Sequence, residues 1–226
     1  MEIYSWILQN KEIIKIIYAL IIVLICAVIV LKSHRMFKLS LYQGIRYFRN
    51  AFLFYGIAFA IRYFLGAYLL FSFKNYYFLI EHVFSFFFIM AGFFLLYSLL
   101  WKKIESSYQD NSSLFNSRIL LFYLMTLVLV ILDYLWGNLY LLFYSQVFVF
   151  IFAFAISFSN YKSKGRNRKF LKFYALAMLL FFIAWTLNAF IETVFHWNPK
   201  VTIIIYLLNI FIFLLFLFGI IRLTKK

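Results

Sequence analysis

Long apolar runs, separated by short charged segments, are the feature that most restricts how this chain can fold. They cover 16–31, 50–73, 83–101, 119–161, 173–191 and 201–221, and the charges inside them are Arg62 and Asp133. A helix rises about 1.5 Å per residue, so about 20 apolar residues cross a hydrocarbon core of roughly 30 Å. The runs therefore predict a polytopic helical membrane protein. The sequence lacks the period-two alternation of about ten residues that marks a barrel strand.

The fourth run is too long for one crossing. As a single helix, residues 119–161 would extend for roughly 64 Å, about twice the hydrocarbon thickness, so the run must fold back on itself. Asp133, Gly137 and Asn138 favour a turn inside it. We therefore predict an all-α fold, with residues 1–226 forming one transmembrane domain of seven helices. These span about 13–32, 47–72, 76–101, 117–136, 138–160, 170–194 and 200–223.

Composition agrees with a chain whose main solvent is lipid. Of its 226 residues, 67% are hydrophobic and 13% are charged, and there is a single proline. That leaves too little polar surface for a soluble globule. The net charge of +15 does not indicate nucleic acid, because a nucleic-acid-binding patch needs a water-facing domain and none is predicted. Cys26 is the one cysteine, which excludes a disulfide within the chain.

Basic residues gather in alternate loops, which predicts the orientation. Loops with more Lys and Arg stay on the cytoplasmic side. We therefore predict an integral membrane protein with its N-terminus outside and its C-terminus in the cytoplasm. The cytoplasmic group is Lys32, Arg35, Lys38, Arg46, Arg49, Lys102, Lys103, Arg118, Lys162, Lys164, Arg166, Arg168, Lys169, Lys172, Arg222, Lys225 and Lys226, against Lys11, Lys15, Lys74 and Lys200 outside.

An internal duplication is suggested by residues that recur at nearly constant spacing. In helices 2 and 6, Phe48, Ile57, Phe59, Ile61, Tyr63, Leu65 and Ala67 fall on Phe170, Leu179, Phe181, Ile183, Trp185, Leu187 and Ala189. Similar spacings place Trp101-Lys102-Lys103 on Thr224-Lys225-Lys226 and Tyr18 on Tyr144. Helix 4 is then left without a counterpart. Chance alignment of apolar helices is the alternative explanation.

This three-plus-one-plus-three layout resembles the SWEET sugar transporters, and the seven-helix, N-out arrangement is similar to microbial rhodopsins and other seven-helix receptors. The first resemblance implies a small-solute carrier, and the second implies a receptor. SWEET-like repeats have a proline-glutamine pair at a kink, whereas Pro199 is predicted in a loop. Residues 201–221 contain no lysine for a retinal Schiff base, so we expect no cofactor.

Polar residues inside the predicted helices lie in the outer half, and they are the candidate binding residues. We predict that they line an outward-facing cavity above an apolar floor, because a polar group buried in a membrane needs a partner or water. A buried guanidinium needs an anion, and Glu81 is the first choice for Arg62, followed by Asp133 or Glu192. The alternative is that Arg62 only snorkels or links helices. The set is Arg62, Glu81, His82, Asp133, Gln146, Asn188, Glu192 and Asn209.

The residue pattern gives little support for a metal site or for catalysis. Glu192 and His196 are four apart, but His196 lies where the helix is expected to end, so we predict no metal. No catalytic motif is present, and we predict no catalytic residue. The loop predicted between helices 5 and 6 has two interpretations. It binds anionic lipid headgroups or a partner protein, or it serves only to fix the orientation of the chain in the membrane. Its basic residues are Lys162, Lys164, Arg166, Arg168 and Lys169.

Three functions follow from these patterns. The one-sided polar residues favour a receptor-like or sensory protein that binds a ligand outside and acts through a partner. The possible duplication favours a small-solute carrier of the three-plus-one-plus-three type. A structural or assembly subunit whose many Phe side chains contact other membrane proteins is the third. The expected partners are membrane lipids and another membrane or cytoplasmic protein, not nucleic acid.

Overall fold

The computed structural model confirms an all-helical protein. It describes residues 10–66, 77–104, 114, 117–163, 169–194 and 199–224, and this part of the chain contains no strand. The helices, numbered in chain order, are α1 Lys11–Ser40, α2 Gln43–Ala60, α3 Tyr77–Ile104, α4 Ser117–Trp136, α5 Tyr140–Ser163, α6 Lys169–Val194 and α7 Pro199–Thr224. A π-helical turn, Ile61–Leu65, continues α2.

Six of these seven helices are long and apolar enough to cross a membrane. The apolar stretches are Ile13–Ser40, Phe78–Trp101, Ser117–Trp136, Tyr140–Lys162, Lys172–Phe190 and Ile203–Arg222. The exception is α2, whose first two turns contain Gln43, Arg46, Arg49 and Asn50. Six crossings are thus supported by length and composition.

Neighbouring helices run antiparallel. Along α2 and α3 the rings of Tyr42 and Trp101 are 4.8 Å apart, and further along those of Tyr55 and Phe88 are 4.9 Å apart. As one residue number rises, the other falls. The same relation holds for Phe78 with Tyr134 and Phe93 with Phe122 in α3 and α4, Phe143 with Trp185 and Phe150 with Phe181 in α5 and α6, and Tyr174 with Phe216 and Phe181 with Phe213 in α6 and α7.

The two ends of the bundle differ in charge. We call the basic end the one formed by the C-terminal ends of α1, α3, α5 and α7 and the N-terminal ends of α2, α4 and α6. Described cations at this end include Lys38, Arg118, Lys162, Lys172 and Arg222. Glu81 and Asp133, the acids whose side chains the structure describes, lie toward the opposite end.

Helix packing leaves α4 at the periphery. The main contacts join α1 to α2, α2 to α3, α3 to α5, α5 to α6, α6 to α7 and α7 back to α1. α4 packs against α3 and α5 from outside this ring. Only 17% of the apolar stretch of α4 is buried, the least of the six.

Aromatic rings of α2, α6 and α7 fill the centre of the bundle. The ring of Phe213 lies 5.7 Å from that of Tyr55 and 5.8 Å from that of Phe52, and Phe181 lies 5.6 Å from Phe216. All five side chains are buried. In lipid, helices associate through close packing and not through a hydrophobic driving force. Edge-to-face rings, which contribute about 0.5–1.5 kcal/mol per pair, supply such packing.

The predicted turn between helices 4 and 5 is confirmed. α4 ends at Trp136, and Gly137 has a φ of +66°, a conformation that glycine adopts without a steric penalty. The Asn138 side-chain oxygen accepts a hydrogen bond from the Tyr140 N–H at 3.3 Å. This cap explains why α5 begins at Tyr140 and not at 138.

Helix ends near the basic loops differ more from the prediction. α1 continues to Ser40, past the predicted end at 32, and α2 begins at Gln43, before the predicted start at 47. A helix can continue through Lys and Arg after it leaves the hydrocarbon, because both residues have good helix propensity. A charge therefore marks where a helix leaves lipid, and not where it ends.

Replacing Gly44 with Ala should destabilise the contact between α2 and α3. A Cβ at Gly44 would lie 2.6 Å from Trp101 Nε1 and 2.7 Å from Tyr42 Cε1, so two packed rings would have to move. We expect unfolding to become easier by about 1–3 kcal/mol, despite the better helix propensity of Ala. Thermal unfolding in detergent measures this change. Gly66→Ala is the control, because a Cβ there meets nothing within 4 Å; equal melting temperatures for both variants would contradict the expectation.

Candidate functional site

Arg62 lies in the π-helical turn that continues α2. A π-helical turn widens the backbone by one residue, and such turns inside α-helices are frequent at functional sites. The turn covers Ile61–Leu65, and Arg62 is its second residue. The helix thus changes from α-helical to π-helical geometry at Arg62, the charged residue predicted to lie deepest in the membrane.

Two kinds of group surround the Arg62 guanidinium. Its Nη2 lies 3.9 Å from Glu81 Oε1, and its Cζ lies 4.5 Å from the ring centre of Phe84 and 5.8 Å from that of Tyr63. The first-choice partner named from sequence is therefore the one placed beside Arg62. The Arg62 and Glu81 side chains are 30% and 21% exposed, so this pair is open on one side.

A second polar contact lies next to the Arg62–Glu81 pair, and the Tyr63 ring lies between the two. The Asn209 side-chain nitrogen donates a hydrogen bond to the Tyr18 hydroxyl at 3.1 Å. The Tyr18 ring stacks on Tyr206 at 4.1 Å and meets the edge of Tyr63 at 5.7 Å. Residues of α1, α2, α3 and α7 thus converge. We call this group the Arg62 site, defined as Tyr18, Arg62, Tyr63, Glu81, Phe84 and Asn209.

The chemistry of the Arg62 site suits binding. It presents a planar cation, a carboxylate, an amide, a hydroxyl and two aromatic faces. A guanidinium binds carboxylates and phosphates through paired N–H groups. Across the described residues, no three His, Cys, Asp or Glu side chains come together as a metal site would require.

His82 and Asp133 form a separate group at the same end of the bundle. His82 Nδ1 lies 2.7 Å from the Phe78 carbonyl oxygen, which can only accept, so Nδ1 is the donor. Its Nε2 is buried and has no hydrogen-bond partner among the described residues. The His82 ring packs edge-on against Tyr134 at 5.4 Å, next to Asp133 in sequence.

Asp133 caps the following helix. Its two carboxylate oxygens accept hydrogen bonds from the backbone N–H groups of Leu141 and Leu142, both at 2.9 Å. These groups belong to the first turn of α5, where backbone donors lack partners within the helix. A carboxylate there also interacts favourably with the helix dipole. The contacts of Asp133 thus give it a structural role, in addition to its predicted place in the site.

The remaining predicted residues are dispersed. Gln146 is fully buried, and both atoms of its amide lack hydrogen-bond partners among the described residues. The Asn188 side chain donates to the Ala184 carbonyl oxygen of its own helix at 2.9 Å. Lys162 is exposed at the end of α5. The side chains of Glu192, Lys164, Arg166, Arg168 and Lys169, like His196, lie outside the described residues.

Four aromatic residues of this region were not predicted from sequence as binding residues: Tyr18, Tyr63, Phe84 and Tyr206. Tyrosine is common at membrane interfaces, so the chain's many tyrosines gave no reason to choose among them. Tyr18 lies one turn inside the first apolar run, and its hydroxyl there needs a partner. That requirement was the available signal, and Asn209 meets it.

Comparison with known proteins provided no relative: no family model, curated protein or solved structure matches this chain. The function is therefore argued from the site alone.

Replacing Asp133 with Ala should weaken the α4–α5 hairpin. It removes two charge-assisted hydrogen bonds to backbone donors and leaves those donors buried, which should cost about 1–3 kcal/mol of stability. Melting in detergent is the measurement. The matched control is Asn138→Ala, which loses one longer cap bond of 3.3 Å and should cost less. If Asp133→Ala melts like the wild type, the capping role is wrong.

Proposed function

We propose that the chain crosses the membrane seven times, with its N-terminus outside and its C-terminus in the cytoplasm. In this proposal α2 crosses the membrane in addition to the six helices that are long and apolar enough by themselves. Support comes from the pairing of α2 with α3, which runs from Tyr42 beside Trp101 to Arg62 beside Glu81. This stretch of about 20 residues covers roughly 30 Å. A helix that packs against α1, α3, α6 and α7 faces protein over much of its surface and can be less apolar than a lipid-facing one. The basic end then faces the cytoplasm.

Cysteine labelling tests this topology. In a Cys26→Ala background, Asn138→Cys lies in the α4–α5 turn and Ser40→Cys lies at the basic end. A membrane-impermeant maleimide should label Asn138→Cys in intact cells and Ser40→Cys only after permeabilisation. The reverse pattern would place the N-terminus inside, and labelling of both variants in intact cells would contradict the proposed span count.

We propose further that the protein is receptor-like and binds a small organic anion with an apolar group at the Arg62 site. The observation that supports this most is the partly exposed guanidinium, held 3.9 Å from Glu81 and over the Phe84 ring. An anion can bind the guanidinium, while Phe84 and Tyr63 contact the apolar part. Burial in the outer half of a membrane protein strengthens such a charge interaction.

Signalling through a partner fits the distribution of polar groups. Below the Arg62 site, the described core is mainly aromatic, with Phe52, Phe213 and Phe216 packed together. A ligand bound at the outer end would act by shifting packed helices and not by passing through. The cytoplasmic face would then present basic helix ends to a partner protein.

A ligand screen with matched variants tests the binding proposal. We expect aromatic carboxylates such as benzoate to raise the melting temperature of the purified protein, while the corresponding amides do not. Arg62→Gln should abolish this shift, and Arg62→Lys should weaken it because a lysine lacks the planar fork. Arg222→Gln is the control, since that guanidinium lies 5.8 Å over Phe173 at the other end of the bundle. A shift that survives in Arg62→Gln would overturn the proposal.

A small-solute carrier is the second candidate, supported by the helix arrangement. If α1–α3 and α5–α7 are repeats, the contact of α3 with α5 corresponds to that of α7 with α1, and both are present. Helix α4 is then the linker outside the ring. Accumulation of the bound anion inside proteoliposomes would favour the carrier over the receptor.

A further inference from the structure

The connection between α1 and α2 forms a distinct corner at the basic end. α1 is 30 residues long, about 45 Å, and so exceeds the hydrocarbon thickness of roughly 30 Å. Leu41 and Tyr42 alone separate it from α2, and Leu41 adopts a φ of 53°. We call residues 32–49 the α1–α2 corner.

The corner is strongly cationic. It contains Lys32, Arg35, Lys38, Arg46 and Arg49 and no Asp or Glu. Two of its arginines have contacts within or next to the corner: Arg49 donates to His34 Nδ1 at 2.9 Å and to Asn50 Oδ1 at 3.1 Å, and Arg46 lies over the Phe37 ring at 5.7 Å. The corner itself has no carboxylate that would offset these charges.

Exposed apolar side chains lie among these charges. Leu39 is 81% exposed, Leu41 72% and Tyr42 43%. Lys38 precedes them and is also exposed. Exposed to water, these leucines would leave apolar surface unburied, which is unfavourable. The acyl-chain boundary of a bilayer would bury that surface. Cations with neighbouring Leu and Tyr side chains suit the interface of an anionic leaflet.

We propose that the α1–α2 corner binds the phosphate headgroups of anionic lipids, with Leu39 and Leu41 inserted beneath them. Lys32, Arg35 and Lys38 line one side of the corner, and Arg46 and Arg49 line the other. The site is independent of the Arg62 site, which lies at the opposite end of α2. It also differs from the predicted 5–6 loop, since all its cations belong to the first two helices.

Lipid retention by the purified full-length protein tests the proposal. Native mass spectrometry of protein from mixed micelles of phosphatidylglycerol and phosphatidylcholine gives the bound fraction of each lipid. The double variant Arg35→Gln/Lys38→Gln should lower phosphatidylglycerol affinity about tenfold or more, given the usual contribution of each cation near a membrane surface. The control Lys172→Gln/Arg222→Gln removes the same charge from exposed positions at the same end, outside the corner, and should change it less than about twofold.

The outcomes separate the alternatives. Equal loss in both double variants would show attraction by net charge alone and overturn the site. Retention of phosphatidylcholine equal to that of phosphatidylglycerol would overturn the headgroup specificity. Competition by millimolar inorganic phosphate, at constant ionic strength, would show a site for free phosphate and contradict lipid as the ligand. Leu39→Gln should weaken retention without changing net charge, and unchanged retention would contradict insertion of the leucines. Unchanged melting temperatures in neutral detergent would confirm that the variants fold.

Discussion

The need to satisfy every backbone N–H and C=O without water is the constraint on which this structure depends. A chain that is 67% hydrophobic has lipid as its main solvent, and in lipid a helix satisfies its backbone groups within one segment. The ends of helices are the exception, because their first donors and last acceptors lack partners. The α4–α5 turn shows how the chain solves this: Asp133 of one helix accepts hydrogen bonds from the Leu141 and Leu142 N–H groups of the next.

Aromatic packing then takes the place that a hydrophobic core has in a soluble protein. Helix α2 is the clearest case, since Phe52 and Tyr55 contact rings of α3, α6 and α7 around it. Because much of its surface faces protein, α2 can carry Arg46, Arg49 and Asn50 in its first two turns and can end in a π-helical turn that contains Arg62. The least apolar helix is therefore the one that brings the charged site into the bundle.

Part of the candidate site follows from the sequence, and part of it depends on contacts between distant helices. Arg62 and Glu81 could be paired because a buried guanidinium needs an anion and their helices follow each other. Asp133 was assigned to both a turn and a cavity, and its contacts are those of the turn. The contact between Tyr18 and Asn209 joins the first and last helices, and no local pattern connects residues that far apart in the chain.

By itself, the sequence determined the helical class, the turn near Gly137 and the gathering of basic residues at one end, since these depend on run length, turn residues and charge along the chain. Only the tertiary structure decided which faces meet, that α2 packs against four helices while α4 is peripheral, and that Tyr18 and Tyr63 adjoin Arg62. The reason is that helices such as α6 and α7 are apolar on every side. The ends of the apolar runs indicate how deep each residue lies along the helix axis, but no polar face indicates how the helix is rotated about that axis. Rotation is set by ring-to-ring packing, which requires all the helices to be in place.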